Sequence, residues 1–524
     1  MSSKHFDNLR PLVTAKQMSE IDRFAIEKIG IPGMVLMENA GREVVAIVKE
    51  MLGTVENKNI IIFCGKGNNG GDGYVVARYL LDIGANVKTY LIGKIDEVKG
   101  DADSNLKILK SLGHMVLPIS KMEHIDWNGG AHLIVDALLG TGVQGALKGL
   151  MAEVVESINK NGAPILAIDL PTGVETDTGA VAGRCIKAYK TVTMACIKSG
   201  LLLSPGREYA GKVIVANIGI PNSVVKEKNI KCFQLTDEYI SEVLPERKPD
   251  TFKNRCGQVF LLAGSMGLTG AAVLSSEAVL RSGAGMALLG IPKSLNTTVE
   301  EKLTEVMTLP LPETDQQSIS LESKEMISEK LAWANVLAVG PGLSTHRDSK
   351  KLLKWILENF EKPLVLDADG INCFKDEKEI LKTTKSDLIL TPHPGELSRL
   401  VGISTKEILA DPIEVVREQA QKLNIVLVLK VAPTIIGSPD GYIFINSTGN
   451  PGMATAGMGD VLTGTIAGLV AQGMSPLEGS LAGVYLHGLS GDISKSELGE
   501  AGLLASDVLK NLPLAMKSFE AAND

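Results

Sequence analysis

Short runs of β-branched and other apolar residues recur through the first 220 positions, each closing in glycine or a small polar residue: NIIIFCG (59–65), NVKTYLIG (86–93), AHLIVDALLG (131–140), PILAIDLPTG (164–173), TVTMA (191–195) and KVIVANIG (212–219). Helical stretches separate them, and this alternation predicts a parallel sheet with helices on both faces. Ahead of the first run, residues 14–52 carry a helical pattern interrupted at Gly30-Ile31-Pro32-Gly33, which predicts two helices broken at that point. Between about Asn222 and Gly257 the rhythm lapses into a charged, irregular segment that includes LPERKPDTFKNR. It resumes with QVFLLAGS, MALLGIP, VLAVGPGL, PLVLDADG, LILTPHPGE, IVLVLKV and YIFINSTGNPG, and closes with helices from 458 onward. Two different α/β domains without an internal repeat are expected, 1–235 and 236–524.

Length agrees with that division, because 524 residues exceed what one ordinary core organises. The formal charge of −8 comes without a basic run, which argues against nucleic acid or an anionic membrane as the main partner and leaves small molecules. Cys64, Cys185, Cys196, Cys232, Cys256 and Cys373 are scattered with no C-x-x-C pair, so neither a zinc site nor a disulfide framework is indicated. The opening MSSKHFDNLRPL has no continuous apolar core, and no uncharged apolar stretch is long enough to span a bilayer. A cytoplasmic location is the expectation.

Candidate chemistry begins at CGKGNNGGDGYVVARYL (64–80), where Gly65 to Gly70 fit G-x-G-x-x-G between a strand and a helix. Glycines there let backbone N–H groups approach an anion, with the positive end of the helix behind them. A lone match serves equally as a tight strand-to-helix turn. Two features separate it from a dehydrogenase fingerprint. The next strand ends in Gly93-Lys94, where an NAD-binding fold carries an acid for the ribose hydroxyls. The pattern also recurs in Gly140-Thr141-Gly142-Val143-Gln144-Gly145, so two glycine loops share one sheet edge. Asp136, Asp169 and Thr172 stand at neighbouring strand ends. Asn69, Asp136 and Thr172 together offer the amide, carboxylate and hydroxyl oxygens that a hard cation requires, although each alone also suits a turn cap.

In the second half, STGNPGMATAGMGDVLTGTIAGLV (447–470) is a glycine-dense loop leading into an apolar helix, suited to a nucleotide phosphate. Asp460 stands where loop becomes helix. A carboxylate there either caps the helix or accepts a proton from an attacking hydroxyl.

GKGNNGGDGYVVAR, VDALLGTGVQG and AIDLPTGVETDTG, with Met18, Asp22, Ala25 and Ile26 ahead of them, resemble the NAD(P)H-hydrate epimerase domain over roughly residues 12 to 220, which implies a Rossmann-like three-layer sandwich. The resemblance implies hydrate contacts from Asn68, Asn69, Gly70, Gly71 and Asp72, from Gly140, Thr141, Gly142, Val143, Gln144, Gly145 and Ala146, and from Asp169. It implies potassium on Asn69, Asp136 and Thr172. Asp169 is the preferred general acid or base for interconverting the R and S forms at C6 of the nicotinamide ring, ahead of Asp72.

VFLLAGSMGLTGAAVLSSEAVLRSGAGM, VGPGL, LDADGIN, LTPHPGELSRL and NPGMATAGMGDVLTG resemble the ribokinase-like NAD(P)H-hydrate dehydratases over roughly 250 to 515, with an α/β/α fold. This implies hydrate contacts from Ala271, Gly342, His393, Pro394, Gly395, Glu396, Leu397, Ser398, Arg399 and the base Asp460. It implies ADP or ATP on Lys430, Val431, Ala432, Pro433 and Thr434 and on Asn450, Pro451, Gly452, Met453, Ala454, Thr455, Ala456, Gly457, Met458 and Gly459, with Mg2+ screening the phosphates. His393 alone would read equally as a loop histidine bonding backbone. Val431 departs from the family's Lys-Gly, and a side chain there is expected either to shift the backbone or to weaken nucleotide affinity. Asp367 and Asp369 read as strand-end residues without an assigned role.

Together the halves resemble the bifunctional NAD(P)H-hydrate repair enzymes, with NADHX, NADPHX and ADP or ATP as small-molecule partners and a homo-oligomer expected. A small-molecule kinase fused to a non-catalytic nucleotide-binding module is the alternative. The polar set Asn69, Asp136, Asp169 and Thr172 favours catalysis over a binding module, and the missing ribose acid disfavours an oxidoreductase.

Overall fold

A computed structural model describes residues 6–520 except 144 and 376. They form two compact units, one of Arg10–Ile230 and one of Lys231 onward with the residues up to Leu9.

In the first unit, helix Ala15–Phe24 begins at a capping box in which Thr14 and Gln17 exchange side-chain to backbone bonds. It runs through the wider turn Ala25–Ile29, stops at the left-handed Gly30, and resumes after Pro32 as Gly33–Leu52, so the predicted break is where the helix breaks. Among the described residues seven strands make one parallel sheet, in the order Val116–Ile119, Asn86–Ile92, Asn59–Cys64, Leu133–Ala137, Ile165–Ile168, Lys190–Met194, Lys212–Ala216. The central strands are buried on both faces, which is why they read as continuous apolar runs. Strand order reverses between Asn59–Cys64 and Leu133–Ala137. Connections leave these two strands in opposite directions and open a crevice at their carboxyl ends. A separate parallel pair, Arg10–Val13 with Ile197–Lys198, sets Lys198 opposite Val13.

The second unit repeats the device. Its parallel strands lie in the order Met307–Leu311, Met286–Pro292, Gln258–Leu262, Val336–Val339, Leu364–Leu366, Leu388–Leu390, Val426–Leu429, again reversing next to the first in sequence, Gln258–Leu262. Antiparallel strands Ile435–Gly437 and Ile443–Ile445 follow. Helix Met458–Ala471, buried on most of its surface, packs on Thr269–Arg281 beneath the sheet's reversal point.

The segment 222–257 is more ordered than its composition suggests. Helix Asn222–Lys226 ends the first unit, Cys232–Gln234 pairs in parallel with Ile443–Ile445, and Thr236 caps helix Asp237–Val243. The spatial boundary therefore falls between Ile230 and Lys231, with Phe6–Leu9 beyond it in the second unit. Phe6 packs against the rings of Phe233, Tyr442 and Phe444, and Thr236 Oγ1 donates to the Asn8 carbonyl. No helix among the described residues is long and apolar enough to cross a membrane.

Candidate active sites

At the reversal point of the first sheet a cavity of about 450 Å³ opens, within the range of small-molecule sites. Helix Asn68–Asp82 starts at its edge with Gly67 at the cap position and no side chain closing the first turn, so backbone donors face the cavity. The loop is tight enough to demand glycine. A Cβ on Gly65 would lie 1.9 Å from the Leu138 carbonyl oxygen, and one on Gly70 would lie 2.0 Å from that of Gly65.

Of the residues expected here, Asn68, Asn69, Asp72, Gly140, Thr141, Gly142 and Asp169 converge on the cavity wall. Gly70 and Gly71 support the loop from behind, with Gly71 against Met37. Val143 is buried, Gly145 has a left-handed backbone, Ala146 packs near Gly183, and Gln144 lies outside the described residues. The wall also contains Asp22 and Lys198, which the sequence reading gave no role.

Lys198 is fully buried. Its ammonium donates to Asp169 Oδ1 at 2.5 Å, Thr193 Oγ1 at 3.1 Å and the Met194 carbonyl at 2.9 Å. Asp169 itself has φ +66°, a conformation costly for a residue with a side chain. Burial pushes Asp72 well above the usual carboxylate range, and Asp169 and Asp22 add to the rise. Asp22 is pushed up to about 6 by burial, with Lys198 opposing and Asp169 reinforcing.

Asp136 and Thr172 sit behind the wall, both fully buried. Asp136 Oδ1 accepts from Thr172 Oγ1 at 2.8 Å and from the Leu138 N–H, while Oδ2 accepts from the Thr172 N–H at 2.8 Å. Burial nevertheless pushes Asp136 up to about 6 against those bonds. Nearer the cavity, the buried Asn69 Nδ2 has no hydrogen-bond partner among the described residues.

In the second unit the charged centre is built around Asp367, at the end of strand Leu364–Leu366. Its side chain is 1% exposed; Oδ1 pairs with Lys430 at 2.6 Å and Oδ2 accepts from Thr463 Oγ1 at 2.9 Å. Lys430 also lies 3.9 Å from Glu396. Burial pulls Lys430 down, but Asp367 and Glu396 outweigh it and leave the lysine above its ordinary value. A Cβ on Gly459 would lie 3.2 Å from the Lys430 ammonium, so the start of helix Met458–Ala471 closes over this pair.

The cap of that helix is Gly457, in the left-handed region, and Asp460 is its third residue. Asp460 is thus not the capping residue. Burial pushes it up to about 7, Asp367 adds to the rise, and Lys430 opposes it. The glycine-dense loop ahead is anchored by Asp492, another residue the sequence reading missed, which accepts from the Gly449 N–H at 2.9 Å and Asn450 Nδ2 at 2.8 Å. Asn450 in turn caps Pro451–Met453. Ala454, Thr455 and Ala456 carry the chain on to Gly457.

His393 caps helix Pro394–Val401, its Nδ1 accepting the Gly395 N–H at 3.0 Å, while Glu396 returns a bond to the His393 N–H. The backbone-bonding role weighed for this histidine is therefore present, and its side chain remains 50% exposed. Along the same helix Leu397 is buried, Ser398 closes the last turn onto Gly402, and Arg399 grips Asn372 Oδ1 with two N–H groups. Ala271 and Gly342 are neighbours, a Cβ on Gly342 falling 3.3 Å from that of Ala271. Val431 has no left-handed backbone, and its N–H donates to the Leu429 carbonyl. The glycine-only geometry that would make this substitution disruptive is not used there. Ala432, Pro433 and Thr434 complete the turn, with Thr434 Oγ1 donating to the Val431 carbonyl.

The two units match two family profiles, one described as YjeF-related protein N-terminus over 33–200 and one as NAD(P)H-hydrate dehydratase over 259–514. The bifunctional NAD(P)H-hydrate repair enzyme Nnr of Moorella thermoacetica is 43% identical over 97% of this chain and 97% of its own. Its counterpart in Escherichia coli is 33% identical over 94% of this chain and 91% of its own. A solved ADP/ATP-dependent NAD(P)H-hydrate dehydratase from Bacillus subtilis, co-crystallised with ATP and Mg2+, is 30% identical, covering 54% of this chain and 97% of that one at a TM-score of 0.47. With both domains and nearly the full length matched, the chain belongs to the family of bifunctional NAD(P)H-hydrate repair enzymes.

Proposed function

We propose that the two sites restore NADH and NADPH from their hydrated forms, the first exchanging the R and S configurations at C6 and the second dehydrating the S form at the expense of ADP or ATP. The observation that carries the second half is Asp460, freed from capping, half-buried near Lys430 and raised to about 7, where a base serves best. Asp460 takes the C6 hydroxyl proton while the terminal phosphoryl group passes to that oxygen. The ring nitrogen's electron pair then expels phosphate, and loss of a proton from C5 restores the dihydropyridine. Lys430 and the open first turn of helix Met458–Ala471 face the nucleotide's charge. Among the described residues no group of three His, Cys, Asp or Glu side chains could hold a metal. This suits a magnesium ion ligated mainly by nucleotide phosphates, which it screens when bound.

In the first unit the hydrate's hydroxyl proton goes to Asp169 as C6–O becomes a carbonyl, and the C6–N1 electron pair returns to nitrogen, which takes a proton from Asp72. Closure onto the other face of the aldehyde reverses both transfers and gives the other epimer. Support comes from the two carboxyls sharing one cavity wall in different settings, one ion-paired and one raised by burial.

Incubating the purified chain with mixed hydrate epimers and either ADP or ATP tests the whole reading and identifies the donor. Recovery of both epimers as NADH with free phosphate is expected. A phosphorylated product that accumulates would instead establish the kinase alternative, and R hydrate left untouched would remove the exchange.

Potassium on Asn69, Asp136 and Thr172 belongs to the same reading. The donors are hard oxygens, and the buried Asp136 has hydrogen bonds but, among the described residues, no basic partner to stabilise its charged form. Replacing sodium with potassium at a hundredfold excess over its Kd is expected to stabilise the first unit by about 2.7 kcal/mol. Denaturant unfolding followed in both salts checks this, with Asp136→Asn expected to abolish the difference. A cytoplasmic location completes the reading, supported by six unpaired cysteines.

A further inference from the structure

Lys198 poses a problem that stability does not answer. Desolvating an ammonium costs several kcal/mol, and apolar replacement of a buried ion pair is often neutral or stabilising, so a buried lysine calls for another explanation. Its three N–H donors are taken up by Asp169 Oδ1, Thr193 Oγ1 and the Met194 carbonyl, which leaves none for a ligand. Lys198 is the one cationic side chain among the described residues of the cavity wall, which also carries Asp22, Asp72, Asp101 and Asp169.

The acceptors on Asp169 are divided. Oδ1 receives Lys198, Thr193 Oγ1 at 3.3 Å and the Met194 N–H at 3.3 Å. Oδ2 points toward the second glycine loop, 3.1 Å from where a Cβ on Gly140 would stand. The Asp169 backbone occupies its left-handed conformation with its N–H bonded to the Val192 carbonyl at 2.7 Å. Such a conformation persists only where its surroundings hold it. Lys198 is itself fixed by the pairing of Ile197–Lys198 with Leu12 and Val13, immediately ahead of the helix that carries Asp22.

We infer that Lys198 is a positioning residue of the first site, engaging Oδ1 of Asp169 so that Oδ2 is presented to the hydrate as the proton acceptor. The inference rests on the reading of Asp169 as the group that exchanges the proton. Lys198 touches no substrate atom; it acts through the carboxylate.

The test measures R-to-S exchange by the full chain, per amount of folded protein, for Lys198→Met, Asp169→Asn and the double variant. Lys198→Met is expected to lower kcat about 100-fold with KM within about threefold of the parent, since misplacing a reacting group by about 1 Å costs that much. The double variant, which removes both charges together and so also covers failure of the single variant to fold, is expected to match Asp169→Asn within about threefold, because residues that act as a unit are non-additive. Two results overturn the inference: Lys198→Met retaining kcat within threefold of the parent, or the double variant falling a further tenfold below Asp169→Asn. Exchange unaffected in Asp169→Asn has a different meaning, because it removes Asp169 as the proton acceptor and with it the role of Lys198.

Discussion

Asparagine in place of Asp460 is expected to reduce kcat for nucleotide-dependent dehydration of the S hydrate by about 10²–10⁴-fold, the usual contribution of a positioned base, while R-to-S exchange in the first unit continues. The amide keeps the shape of the carboxylate and loses only its capacity to take a proton. Because Asp460 is raised to about 7 and acts ionised, the parent rate should climb as pH rises through about 7 and then level, and the residual activity of the variant should lose that limb. NADH recovery followed by absorbance across this range reads both effects. Recovery at the parent rate would falsify the assignment of the base.

The second large effect is expected from Lys430→Met. Asp367 would be left 1% exposed with no cation, and breaking a buried pair from one side costs about 3–5 kcal/mol. Denaturant unfolding of the second unit measures that loss, and Lys430→Met/Asp367→Asn should regain most of it by removing the stranded charge. Lys430 is also the group that holds Asp460 down, so its removal should move the alkaline-rising limb of dehydration above about 7. A stability loss below about 1 kcal/mol would mean that solvent screens the pair as it screens surface ion pairs.

The central strands were legible because, buried on both faces, they read as apolar runs, and the half-exposed Asn86–Ile92 and Lys212–Ala216 were legible through their β-branched residues. Val116–Ile119 and Met307–Leu311 escaped because each carries a proline, Pro118 and Pro310, and each is the outermost strand on its side of the reversal point. Proline is tolerated there because an edge strand has an unpaired side. The glycine loops and Asp460 were legible since their chemistry is local. Lys198, Asp367 and Asp492 were not, because each is held by a partner distant in sequence: Lys198 lies 29 residues from Asp169, Lys430 lies 63 from Asp367, and Asp492 lies 42 from Asn450. A single lysine in a strand carries no sign that it will be buried. Strand Cys232–Gln234 and helix Asp237–Val243 were hidden by charged neighbours that are exposed in the fold.

Phe6, seated among Phe233, Tyr442 and Phe444, makes the second unit discontinuous in the gene. A ribosome releases this plug more than two hundred codons before the residues that receive it, so this aromatic cluster is completed only after the whole intervening epimerase has been made. Cutting the message at codon 231 would separate two reactions on paper, yet it would deliver a dehydratase lacking one ring of its own aromatic cluster. Genetic fusion in this chain is therefore an interleaving rather than a concatenation, and a clean division of labour would need Phe6–Leu9 grafted onto the second half.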